Sequence, residues 1–147
     1  MKLQKATLFG LVATLELARD PQRQVSAAEI AETYGISANH LAKVLRDLGR
    51  AGLVEAVRGA GGGYRFIGNA KRTSLYDVIR LFEDIVSRDG GLAGPSDETD
   101  IGRALASVLR EVDEIAVATF KSISLATLLK SMERGHGPAG KRDVAAE

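Results

Sequence analysis

Four glycines crowd into the six residues Arg58-Gly59-Ala60-Gly61-Gly62-Gly63, between two β-type runs at residues 53–57 and 64–67. Glycine loses more backbone freedom on ordering than any other residue, so this run suits neither a helix nor the interior of a strand. It suits the tip of a hairpin, with the flanking runs as its two short strands.

What precedes the hairpin is helical. Leu3, Leu8, Leu11, Val12, Leu15 and Leu17 recur at roughly helical spacing, which predicts a first helix over residues 3–18 that stops before Asp20-Pro21. Ser26 followed three residues on by Glu29 has the form of a capping box, opening a second helix through Ile30, Ala31 and Tyr34 that ends at Gly35. Ser37 caps a third, with Leu41, Val44, Leu45 and Leu48 on one face and an end near Gly52. The interval Tyr34-Gly35-Ile36-Ser37 is a short glycine-bearing turn between short helices, the signature of a helix-turn-helix. With the hairpin behind it, the unit reads as a winged helix.

Further along, Ser74 caps a fourth helix with Leu75, Val78, Ile79 and Phe82 in one stripe, and residues 87–98 read as a loop. A long helix begins near Thr99. Its residues Ile101, Leu105, Val108, Val112 and Ile115 alternate steps of four and three, a coiled-coil-like seam that Leu109 and Phe120 widen. Ser124 caps a last short helix carrying Leu125, Leu128 and Leu129. From Gly135 the chain has few apolar residues and reads as a disordered tail. The expected organisation is a mainly α fold with a small β-hairpin wing. It comprises a winged helix-turn-helix over residues 1–86, the loop 87–98, a dimerisation helix with the short C-terminal helix over 99–134, and the tail 135–147.

Composition narrows the chemistry. The chain has no cysteine, which removes disulfides, thiolate zinc sites and cysteine-ligated iron–sulfur clusters. No apolar run approaches the roughly 18 residues that span a bilayer. The N-terminal stretch has the look of a signal peptide, but Thr14 and Glu16 interrupt it and no small-residue cleavage site follows. It reads as an amphipathic helix of a cytoplasmic protein, with no membrane partner. The net charge of +1 conceals an asymmetry: residues 1–72 carry eleven Lys and Arg against six Asp and Glu, and residues 73–147 carry nine against thirteen. A basic first half points to a polyanionic partner.

The third helix is the candidate reader of that polyanion. Its first turn, Ser37-Ala38-Asn39-His40, pairs short side chains with groups able to reach base edges, Asn39 above all, since an amide can bond adenine twice. Lys43, Arg46 and Arg50 follow at steps of three and four on the helix flank, where phosphates would lie. Arg58 and Arg65 bracket the thin tip formed by Gly59, Gly61, Gly62 and Gly63, a shape that can enter a narrow, electronegative minor groove. The bland alternatives are a solvated basic helix face and an ordinary flexible hairpin. A phosphate-binding P-loop fails, because Gly-Lys-Ser/Thr is absent and a strand follows.

Residues 36–66, ISANHLAKVLRDLGRAGLVEAVRGAGGGYRF, resemble the corresponding stretch of the Rrf2 family of bacterial winged-helix regulators, which includes iron–sulfur and nitric-oxide sensors and a cysteine-metabolism repressor. The resemblance extends through the first helix, the entry at Val25-Ser26-Ala27-Ala28-Glu29 and the start of the fourth helix. It fades in the long helix and returns at Ser124-Leu125-Ala126-Thr127-Leu128-Leu129. It implies homodimers that place recognition helices in successive major grooves and wing arginines in the minor groove, with Arg58 at the position of the family's wing arginine. Members that carry a cluster hold it on three cysteines in and just after the loop before the dimer helix; residues 87–102 hold none. His40 belongs to the recognition helix and His136 to the tail, so histidine ligands do not replace them, and no metal or cofactor is expected. The acidic residues Asp89, Asp97, Glu98 and Asp100 do not follow the order of an EF-hand.

The expected function is therefore sequence-specific binding of double-stranded DNA, as a homodimeric repressor on an imperfect palindrome, modulated by an unidentified small molecule or protein. The alternative is a winged helix used as a protein-interaction module for a metabolic enzyme or another regulator. An enzyme is not expected, since no nucleophile–base pair or metal set is present. The seam of the long helix is expected to pair with its copy in a second chain; the alternative is that it folds back on its own domain.

Overall fold

A computed structural model describes residues 1–86 and 98–135. Most of the expected loop (87–97) and of the expected tail (136–147) lies outside the described residues. The order of elements is α1 (Lys5–Ala18), α2 (Ala27–Tyr34), α3 (Ala38–Arg50), β1 (Val54–Val57), β2 (Gly63–Phe66), α4 (Leu75–Ile79), α5 (Asp100–Ser122) and α6 (Leu125–Glu133). The fold is mainly helical, with one two-stranded antiparallel hairpin.

The helix starts lie where the polar caps stand. Ser26 Oγ accepts from Glu29 N–H while Ser26 N–H donates to the Glu29 carboxylate, both at 3.1 Å, closing the capping box of α2. Ser74 and Asp77 repeat that exchange at α4, and Ser37, Thr99 and Ser124 each accept one amide of α3, α5 and α6. Each cap satisfies donors that the helix leaves orphaned, worth about 1 kcal/mol apiece. Between α2 and α3 the chain reverses at Gly35, whose φ is 63°, and the buried Ile36 bonds back to Ala31 O at 2.9 Å.

Leu41, Val44, Leu45 and Leu48 turn one face of α3 inward, onto Ala13 and Leu17 of α1, Ile30 of α2 and Val54 and Phe66 of the hairpin. Tyr34 ties α2 to α1 by donating its hydroxyl to Glu16 at 2.5 Å. Burial, then that bond to a carboxylate, pushes the phenol up to about 12, so it stays neutral. The hairpin pairs Val54 with Phe66, Glu55 with Arg65, Ala56 with Tyr64 and Val57 with Gly63. Val25 extends it on the far side, exchanging backbone bonds with Tyr64 at 2.9 and 2.8 Å.

The helix α6, which the sequence grouped with the long helix, is tied to the winged-helix body. Its Leu125 is fully buried in the common core, and Leu125 N–H and Ala126 N–H bond to Thr73 O and Ala70 O, both at 2.9 Å. The helix between is different. Only Gly102 of α5 is buried, and the seam residues Ile101, Leu105, Val108, Val112 and Ile115 are 79, 45, 59, 55 and 60% exposed. Within one chain, α5 does not fold its seam onto its own domain.

Gly10, inside α1, marks a close crossing. A Cβ there would stand 2.3 Å from Cε2 of Phe82, so the bare backbone is what lets the ring seat against the helix. Gly10→Ala is expected to cost about 1–3 kcal/mol despite the better helix propensity of alanine. Thermal unfolding of Gly10→Ala, Phe82→Ala and the double variant checks this: the double variant should lose less than the sum of the singles.

Candidate nucleic-acid interface

The buried positions 41, 44, 45 and 48 of α3 define its inner face, and the helical period places Asn39, Lys43, Arg46 and Arg50 opposite them, all exposed. Ser37 holds the start of the helix through its 3.3 Å bond from His40 N–H, so the first turn projects as an ordered unit. Among the described residues no carboxylate pairs with Lys43, Arg46, Arg50 or Arg58. By contrast, Arg19, Arg23, Arg65, Arg80 and Arg103 each have an acidic partner. Unpaired guanidinium and ammonium groups around an exposed amide form a surface that can take phosphates and base edges together.

Three residues expected at this surface make contacts that their spacing along the chain does not announce. Arg65 does not bracket the wing tip as a free cation, because the antiparallel register sets it opposite Glu55, and Glu55 accepts from its guanidinium. His40 lies on the side of α3 facing α1, its ring tilted against that of Phe9 with centroids 6.1 Å apart. Gly63 belongs to the strand and not to the tip: a Cβ there would lie 2.6 Å from Val25 O, so its glycine is required where the hairpin meets Val25. The tip proper is Arg58 to Gly62, where Gly59 and Gly61 take φ of 107° and 74° with open space around them. Arg58 stands exposed at its edge. Ala38 opens α3 beside Ser37.

Sequence reasoning did not find what lies behind α3. A cavity of about 400 Å³ separates α3 from the N-terminal turn of α1 and from Leu81 and Phe82, which follow α4. Glu83 braces one wall, accepting from Gln4 N–H at 2.8 Å and from the Thr7 hydroxyl. Nothing in the spacing of these residues along the chain announces that they meet.

No group of three His, Asp or Glu residues that could hold a metal ion occurs among the described residues. With no thiolate in the chain, a cysteine-ligated cluster does not fit it. No helix among the described residues is long and apolar enough to cross a membrane.

Comparison with known proteins agrees with this fold. Residues 3–131 match the Rrf2 family, described as iron-dependent transcriptional regulators. The chain is 53% identical, over a 156-residue alignment covering 99% of it and 97% of the relative, to the HTH-type transcriptional regulator BadM of Rhodopseudomonas palustris. Among solved structures it is similar to IscR of T. potens, with a TM-score of 0.73 and 29% identity over 93% of this chain and 92% of that one. CymR of B. subtilis, the global cysteine regulator, follows with a TM-score of 0.72 and 26% identity over 88% and 97%. These relatives are regulators and not enzymes, and the winged-helix fold is theirs too. This chain belongs to the Rrf2 family of DNA-binding transcriptional regulators.

Proposed function

We propose that the protein is a cytoplasmic homodimeric repressor that reads an imperfect palindrome without an iron–sulfur cluster. The observation that carries this reading is the row of unpaired cations beside Asn39 on the outward face of α3. In this arrangement Asn39 addresses base edges in the major groove, with Ser37 and Ala38 small enough to let the backbone approach. Lys43, Arg46 and Arg50 meet phosphates, and Arg58, carried on the glycine tip, enters the minor groove. The exposed seam of α5 supports dimerisation. A helix of 23 residues is about 35 Å long, and leaving its apolar face in water is costly. Two-fold pairing buries the seam and sets two recognition helices about 34–36 Å apart, one turn of DNA, which is why the operator should be palindromic.

The test begins by selecting bound genomic fragments and sequencing them, then measuring two variants on the selected site and on unrelated DNA. Asn39→Ala should lose about 1–3 kcal/mol on the selected site and little on unrelated sequence. Arg58→Ala should lose a similar amount, most on sites with a narrow, A·T-rich minor groove under the wing. Full affinity in both variants would refute this docking.

A further inference from the structure

The geometry points to the cavity behind α3 as a binding site for a small organic carboxylate with a flat apolar body, whose occupancy weakens DNA binding. Its volume, about 400 Å³, lies in the range of small-molecule sites. Phe9 and Phe82 face into it with Val44, which gives a ring-sized body apolar walls. Lys5 and Lys43 line the same space, and among the described residues neither has an ion-pair partner. His40 adds a third nitrogen-bearing group, and Asp47 is the one carboxylate of the lining. Cations therefore outnumber acids around an aromatic chamber, and an anion with an apolar body complements both features.

The site is preformed. Its α1 wall is tied to the chain after α4 by Glu83, through Gln4 N–H and Thr7, and its far wall is the recognition helix itself. His40 and Lys43 share α3 with Asn39 and Arg46. A carboxylate held by Lys43 withdraws that ammonium from phosphate and adds negative charge beside the DNA. Ligand and DNA then oppose each other, by the same factor in both directions. This coupling rests on the docking proposed above; the binding site itself does not.

Amide-resolved NMR of the full labelled chain tests the site without DNA. Three probes separate charge from shape: phenylacetate, the uncharged phenylacetamide and inorganic phosphate. Phenylacetate should shift the amides of Lys5, Phe9, His40 and Asp47 saturably, with the other two binding at least about tenfold more weakly. Ala6 is exposed on α1 at the edge of the cavity, so Ala6→Phe fills the space without disturbing the core and should abolish the titration. Lys5→Gln should weaken phenylacetate by about tenfold, leave phenylacetamide unchanged and leave ligand-free DNA affinity intact. Saturating phenylacetate should lower DNA affinity by a similar factor in the unaltered chain and not in Ala6→Phe. Equal binding of acid and amide, mimicry by phosphate alone, or an undiminished titration in Ala6→Phe would overturn the site. Site binding with no change in DNA affinity would overturn the coupling, and a chain that binds no DNA at all would count against the docking alone.

Discussion

Replacing Val108 and Val112 together with Asp is expected to leave the protein monomeric in sedimentation at concentrations where the unaltered chain is a dimer. Both side chains are more than half exposed in the single chain, so the substitution does not touch its core. Far-UV dichroism should therefore be unchanged. In a two-fold pairing of α5 the same positions meet their copies, and four carboxylates enter an apolar seam. Each unpaired charge buried there costs several kcal/mol, enough together to abolish association. The monomer should retain half-site affinity only, since it loses the second recognition helix and the effective concentration that linkage provides. A dimer that persists in the double variant, or an unaltered chain that sediments as a monomer, would end the two-fold model.

A second large effect concerns salt. If Lys43, Arg46 and Arg50 each neutralise one phosphate per half-site and Arg58 in the minor groove releases one further counterion, log affinity should fall against log salt with a slope of about −7 for the dimer. Converting Lys43, Arg46 and Arg50 to Ala should flatten that slope by about 5 and remove several orders of magnitude of affinity at low salt. Arg65→Ala serves as the contrast. Its guanidinium is engaged by Glu55 across the hairpin, so its removal should leave the slope nearly unchanged. Fluorescence anisotropy on one operator over a salt series separates these outcomes. A slope unaffected by the triple substitution would remove α3 from the phosphate contacts.

The two expectations treat Arg65 and Arg58 differently although both arginines flank the same glycine run. The difference comes from strand register, which puts position 65 directly across from an acid and leaves position 58 at the turn. The basic residues of α3 form no ion pair among the described residues, although Asp47 lies about one turn from Lys43 and Arg50. Their availability therefore follows from the fold around them as much as from their own identity.

Local signals in the chain carried much of the architecture. Ser26 with Glu29, Ser37, Ser74 and Ser124 marked helix starts because a cap bonds amides only two or three residues away, an interaction contained within its own segment. The inward face of α3 and the outward seam of α5 were likewise readable, since the helical period alone decides which residues share a side. Contacts between segments far apart in sequence were not. The pairing of Arg65 with Glu55 needed the hairpin register, the glycine at position 63 needed the approach of Val25, and the turning of His40 toward Phe9 needed the packing of α1 on α3. The return of α6 to the core through Leu125, and the cavity between Lys5, Lys43 and Phe82, likewise depend on where three helices come to rest. A cap or a heptad is satisfied within its own few turns, whereas a cavity or a cross-strand ion pair exists only after folding has brought distant residues together.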